Sequence, residues 1–363
     1  MRSDEHIFPR CIVGKIKSGD LLCQECNSTL GHTIDRVLCE QLEIYAYILG
    51  VKDSEERFPI RATFSNGTVV GLNADLEPTL PPEVTTEKLP GGKTRYGISA
   101  TEEKAQEIMQ RIEQKHKMKN PNSDLKIETG EPLRSTYSGR VKILQKLGGT
   151  TALRSVCKTA IDFYLYAGGD PQYVGQSIPY VVHGNGRDRT TFYYPDTDVL
   201  TDRDADQILH AVIAQGDPDE RILYSYIEFF SGVRYITLLN DNYAGEKFTK
   251  SYFFDVLRNI EVNKEFSLNI SRDSLQTLLA GSAVSAKQLE LALHNLMRIG
   301  MSRRDNDRFD AIIQDAMKDS LERYPEGVPI TREMMGEFID ELIKRIIPLL
   351  PRENDLLDSE DHK

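Results

Sequence analysis

Apolar residues fall at three- and four-residue steps from Leu30 through Ile34, Leu38, Leu42 and Tyr45. That is the stripe of an amphipathic helix. It is expected to run to about Leu49, with Gly50 as its stop. Before it the pattern is short and extended. Ile7 and Phe8 precede Pro9, which ends regular strand pairing. A turn at Ser18-Gly19 leads into a second apolar run, Leu21-Leu22-Cys23. Residues 1–52 therefore read as strand, strand, helix.

Residues 58–98 read as extended chain, with Asn66-Gly67 between β-rich runs as a hairpin signal. Ser99 and Glu102 offer a capping box to a polar helix that ends before Asn120-Pro121. Residues 141–169 read as an amphipathic helical region interrupted at Gly148-Gly149, and residues 203–215 as a further helix. YSYIEFFSGVRYITLL reads as antiparallel strands, with turns at Ser231-Gly232 and from Asn242 to Gly245. From Ser271 four helical segments follow, separated by Gly, Pro or Ser. The predicted class is α+β, in four parts: a ββα unit over 1–52, a mixed α/β domain over 53–270, a helical region over 271–350, and a disordered acidic tail over 351–363.

Composition narrows the function classes. Hydrophobic residues make up 39% and charged residues 28% of the 363, as in a folded soluble protein. No apolar run approaches the roughly 18–20 residues that span a bilayer, and MRSDEHIF lacks the basic and apolar regions of a signal peptide. A cytoplasmic setting is the expectation. The net charge of −11 does not describe a protein coated for nucleic acid, yet ten Lys/Arg face three acids between Lys115 and Lys158. Lys115, Lys117, Lys119, Arg140, Lys142 and Lys146 are candidate phosphate contacts, and a pair of solvated helix faces accounts for them equally well. Five cysteines, an odd and sparse set, argue against a disulfide framework.

The chemically loaded residues crowd the N-terminus. Glu5 and His6 lie on the first predicted strand, and Asn27 follows the pair Cys23 and Cys26 at the predicted helix start. Phosphodiester hydrolysis needs a hard divalent cation to stabilise developing charge and a base with a pKa near neutrality. Imidazole suits the base; a carboxylate and an amide oxygen suit Mg²⁺ or Mn²⁺. Thiolates instead select Zn²⁺, and Cys23 with Cys26 would make half of a closed four-ligand site. Neighbouring strand residues point to opposite faces, so Glu5 and His6 meet at one cation only if the strand bends or ends there.

DEHIFP followed by LLCQECNSTLGHTID resembles the HNH endonuclease family, in its bacterial branch reading EHI-P then CxxCN. The resemblance covers about residues 4–36. It implies a ββα-metal finger in which His6 is the general base, Glu5 and Asn27 hold the catalytic divalent ion, and Cys23 and Cys26 form half of a structural zinc site. Two positions depart from the family pattern. Its middle residue, usually Asn, which braces the loop holding the base, falls at Ser18, with Asp20 nearby. The family often carries a second CxxC upstream, and five residues precede His6 here. The zinc site is then absent, or completed by Cys11, His32 or another group, or the chain starts downstream of the true start. His32 reads first as a helix-surface histidine, Asp35 as an acid placed near the helix N-terminus for its dipole, and Cys39 and Cys157 as core.

The expected function is metal-dependent hydrolysis of DNA; the alternative is a non-catalytic nucleic-acid- or protein-binding protein with a degenerate finger. A single finger cuts one strand per visit, so double-strand cleavage would call for a homodimer, with the helical C-terminus as its interface.

Overall fold

The computed structural model describes residues 2–51, 60–64, 67–72, 76, 78–79, 81–90, 94–100, 102–119, 141–281, 285–321, 323–324, 327 and 329–347. The chain divides into two compact units, Met1–Leu293 and His294–Lys363. The expected tail over 351–363 lies outside the described residues.

The first unit opens with an antiparallel pair, β1 (Arg2–His6) and β2 (Lys17–Cys23). Helix α1 (Gln24–Leu30) continues through a π-helical turn, Gly31–Asp35, into α2 (Arg36–Ile48). The ββα order follows the expected one. Ile34, Leu38 and Leu42 of the apolar stripe are fully buried. The segment after β1 turns inward, with Ile7, Phe8 and Ile12 buried.

Small sheets follow. β3 (Ile60–Phe64) and β4 (Val69–Leu72) form the hairpin expected around Asn66-Gly67, flanked by β5 (Pro78–Thr79) and, further along the chain, β8 (Val141–Ile143). β6 (Glu83–Lys88) pairs with β7 (Thr94–Ser99), and α3 (Glu102–Lys119) begins at Glu102, whereas Ser99 of the expected capping box closes β7. Helix α4 (Thr150–Tyr166) starts after Gly148 and Gly149, both at positive φ. The helical region expected from 141 is thus a strand and an extended segment until these glycines, whose conformation most residues avoid. A short helix α5 (Ile178–His183) leads to the central sheet.

That sheet holds six antiparallel strands in the order β14 (Ile260–Val262), β13 (Phe248–Asp255), β10 (Leu209–Asp217), β11 (Ile222–Phe229), β12 (Val233–Asn240), β9 (Thr190–Phe192). The turns at Ser231-Gly232 and Asn242–Gly245 fall between strands, as expected. The helix expected at 203–215 is corrected to strand β10. Its run LHAVIA is buried on both faces, and a fully buried strand reads as a continuous apolar run without alternation. Helix α6 (Arg272–Leu279) follows. Helix α7 (Ala286–Leu321) is continuous where two segments were expected, and α8 (Arg332–Ile346) comes last.

The finger is packed into the first unit rather than set apart at residue 52. Phe8 stacks on His210 of β10 with ring centroids 5.3 Å apart, and Tyr45 lies 6.3 Å from Phe230. The Gln41 side chain donates to the Gly148 carbonyl at 2.8 Å and accepts the Gly148 N–H at 2.9 Å. His210 accepts the Phe230 N–H at Nδ1 and donates from Nε2 to the Ile12 carbonyl. Burial lowers its pKa to about 4, so it stays neutral and ties the turn at Ile12 to the β11–β12 turn at Phe230.

Candidate active site

β1 alternates. The Glu5 side chain is 3% exposed, whereas Asp4 is exposed and His6 half-buried. His6 pairs across the hairpin with Lys17, and cross-strand partners share a face. The Lys17 ammonium lies 2.8 Å from Asp4 Oδ2. Asp4, His6 and Lys17 therefore occupy one face, and Glu5 the other.

His6 Nδ1 is 3.2 Å from the Gly14 carbonyl oxygen. A carbonyl only accepts, so Nδ1 carries the proton and Nε2 is left as the basic nitrogen. Burial lowers the His6 pKa from its ordinary 6.5, opposed by the Gly14 bond. The bracing expected of Ser18 is supplied here by Gly14. Ser18 Oγ instead accepts the Asp20 N–H at 3.3 Å within its own strand. Only glycine fits at position 14, because a Cβ there would meet the Phe8 carbonyl oxygen at 1.8 Å. Gly14→Ala should shift this loop, with a stability loss of about 1–3 kcal/mol as in overpacked sites. A denaturant melt alongside a His6 NMR titration would check it: the imidazole should lose its fixed tautomer.

Asn27 fastens α1 to β1. Its Nδ2 donates to Ser3 Oγ at 2.8 Å and to the Asp4 main-chain oxygen at 3.2 Å. The second acceptor fixes the amide orientation, and Oδ1 has no partner among the described residues. Asn27 thus presents a free oxygen beside Asp4.

Glu5 points the other way, to Lys158 of α4, whose ammonium bonds its Oε1. The same ammonium lies 3.2 Å from Asp35 Oδ2 and 3.2 Å from Asp162 Oδ2. Asp35 also accepts the Ser155 hydroxyl at 2.5 Å, so it is tied into this cluster as well as lying near the helix start. Three carboxylates share one buried cation. Desolvation first, then the neighbouring acids, push Glu5 up to about 7 despite Lys158; burial raises Asp162 as well. Lys158 itself is raised, the three carboxylates outweighing its own desolvation. The residue was counted in the basic stretch from its sequence position; it is buried and cannot meet a phosphate. Arg154 is likewise spent on the carbonyls of Val181 and Val182.

Of the other candidate phosphate contacts, Lys115, Lys117, Lys142 and Lys146 are exposed. Arg140 and the Lys119 side chain lie outside the described residues. Cys23 and Cys26 are exposed thiols, and Cys23 Sγ accepts the Cys26 N–H at 3.3 Å as the N-cap of α1. Cys11 is bonded to Cys39 in a disulfide. Cys39 is buried in the core, as expected, and the bond takes Cys11 from the groups that could complete a zinc site. His32 is exposed. Among the described residues no group of three or more His, Cys, Asp or Glu is placed to hold a metal ion.

Two oxygen donors of the finger nevertheless suit a hard divalent cation, one of them paired with Lys17. Asn27 Oδ1 and the Asp4 carboxylate are oxygen ligands, and oxygen is what Mg²⁺ and Mn²⁺ take. The Glu5 carboxylate does not fit as it stands, because it is enclosed and bonded to Lys158.

Residues 1–43 match the family model described as HNH endonuclease. The match supports a nuclease-type function acting on nucleic acid and agrees with the ββα order of the finger. No curated protein and no solved structure matches the chain. No described helix is long and apolar enough to cross a membrane.

Proposed function

We propose that the protein is a metal-dependent endonuclease that hydrolyses phosphodiester bonds in DNA, with His6 as the general base. The observation that carries this reading is the oriented imidazole. The Gly14 carbonyl holds Nδ1–H, so Nε2 is left as the acceptor, on a finger whose Asn27 offers an uncommitted oxygen. A divalent cation bound at the finger would stabilise charge on the scissile phosphate and on the leaving oxygen. His6 Nε2 takes a proton from the attacking water, and the Gly14 carbonyl keeps the ring aligned while it becomes an imidazolium. Asn27 Oδ1 and a carboxylate of β1 would hold the cation. Lys115, Lys117, Lys142 and Lys146 are the exposed positive charges of the basic stretch and would meet backbone phosphates.

The test is plasmid cleavage by the full chain with Mg²⁺, Mn²⁺ and then EDTA. Nicked or linear product that forms with either metal and stops with EDTA is expected. Protein that retains DNA in a gel-shift assay, yet leaves it intact under both metals, is a binding protein with a degenerate finger.

A further inference from the structure

We propose that the Cys11–Cys39 disulfide is a reversible thiol–disulfide switch that sets whether the Gly14 carbonyl braces His6. The consequence for cleavage rests on the nuclease reading. The switch itself rests on how the loop between β1 and β2 is held.

Arg10–Ile12 form a 3₁₀ turn in that loop. The N–H groups of Ile12 and Gly14 donate to the Pro9 carbonyl, and that of Val13 to the Arg10 carbonyl. Cys11 lies in the turn, and its bond reaches Cys39 on α2, in sequence beside the buried Leu38. One residue on, the Ile12 carbonyl accepts from His210. Val13 comes next, at φ 69°. A β-branched residue in the left-handed region is strained, and it persists only where its surroundings leave it no alternative. Gly14 follows, and its carbonyl holds His6 Nδ1. The disulfide therefore pins one side of a strained residue whose other side carries the brace.

With the bond open, the loop keeps its turn hydrogen bonds and the contact of Ile12 with His210. Strain of the Val13 kind is as large as the gain from one neutral hydrogen bond, or larger. Val13 then relaxes at the expense of the Gly14–His6 bond, and the imidazole loses its fixed tautomer. The latched form is the braced one.

The chemistry is thiol–disulfide exchange with an external dithiol. Cys11 is half-buried and Cys39 buried, so an incoming thiolate meets Cys11 Sγ first. It bonds that sulfur, the Cys11–Cys39 bond breaks, and Cys39 leaves as a thiolate that takes a proton. The second thiolate of the dithiol attacks the dithiol sulfur of the mixed disulfide and releases Cys11, which is protonated in turn. Two electrons and two protons pass to the protein, and the dithiol becomes a disulfide.

The experiment equilibrates the full chain in mixtures of reduced and oxidised dithiothreitol. Alkylation and peptide mass spectrometry report Cys11 and Cys39, nitrogen NMR reports the His6 tautomer, and a thermal melt reports folding. The oxidised chain should show one tautomer, protonated at Nδ1, and the reduced chain, still folded, a mixture. Cleavage should fall by about 10- to 10²-fold on reduction, the cost of a misplaced catalytic group. Cys11→Ser with Cys39→Ser should behave as the reduced chain with or without dithiol. Cys23→Ser with Cys26→Ser, which removes the exposed thiols, should keep the response of the His6 signals. A folded, fully reduced chain with the tautomer of the oxidised one overturns the proposal. So does a response that disappears with Cys23 and Cys26, a Cys11–Cys39 bond that never forms in oxidised dithiothreitol, or a chain that unfolds on reduction. A tautomer change without cleavage in either state leaves the switch standing and removes the nuclease.

Discussion

Lys158→Met should lower the unfolding free energy by about 3–5 kcal/mol, the loss seen when one partner of a buried ion pair is removed. The cause is not one lost bond. Glu5, Asp35 and Asp162 all lie within reach of the same ammonium, and methionine leaves three carboxyl groups in the interior without a cation. Such groups respond by holding protons. The Glu5 carboxyl is already raised to about 7 from 4.5 in the wild type, and loss of Lys158 moves it further in that direction. Between pH 4.5 and 7 the folded state therefore binds more protons than the unfolded state, so stability falls as pH rises. The part of the variant's deficit that comes from Glu5 should be nearly constant below pH 7, where both folded proteins hold that proton, and grow above pH 7. Urea denaturation followed by circular dichroism at several pH values would show this. A deficit independent of pH would mean that lost packing, not charge, is responsible. Lys17→Met, which breaks only the exposed pair with Asp4, should leave the unfolding curve nearly unchanged.

The contrast between these two lysines shows what one sequence discloses and what it hides. Lys17 and Lys158 look alike in a charge count. Lys158 differs in its surroundings, since every position from Ser155 to Tyr164 is buried. A helix buried all round that carries Lys158 and, four residues on, Asp162 is a signal. Charged residues almost never enter such a run unless paired. The spacing was readable, but the partner was not: Glu5 is distant in sequence, and no local pattern links β1 to α4.

Elsewhere, legibility followed locality. The order of Glu5, His6, the CxxC pair and Asn27 located the finger, because strand, turn and helix start are all set within a few residues. The β3–β4 hairpin and the β11–β12 turn were legible for the same reason. Strand β10 was read as a helix because it lies in the middle of the sheet. Burial on both faces removes the alternation by which a strand is recognised. The Cys11–Cys39 bond was hidden in an odd set of thiols, and the brace on His6 because a main-chain oxygen leaves no residue type to read. Gly14 offered a weak trace, a glycine just after the strand and its 3₁₀ turn, at a place where no side chain fits.

His6→Ala should reduce DNA cleavage by about 10²–10⁴-fold, the usual contribution of a positioned general base, with the fold intact. Two features of the site separate this effect from a structural one. Among the described residues the imidazole makes one hydrogen bond, to the Gly14 carbonyl, and a neutral bond of this type contributes about 1 kcal/mol to stability. The melting curve should therefore move little while the rate collapses. The pH profile supplies the second criterion. Burial holds the His6 pKa below 6.5, and the neutral ring is the active form. Cleavage by the wild type should rise with pH to a plateau, with its midpoint below 6.5, and fall as the ring is protonated at lower pH. A cation bound nearby disfavours the imidazolium and moves the midpoint the same way, so the direction holds in either state of the finger. The alanine variant should lose this limb and leave a shallow residual profile. Initial rates of plasmid nicking in Mg²⁺ between pH 5 and 9, wild type against variant, measure both. An alanine variant that cleaves at the wild-type rate with the same acidic limb would remove His6 from the reaction.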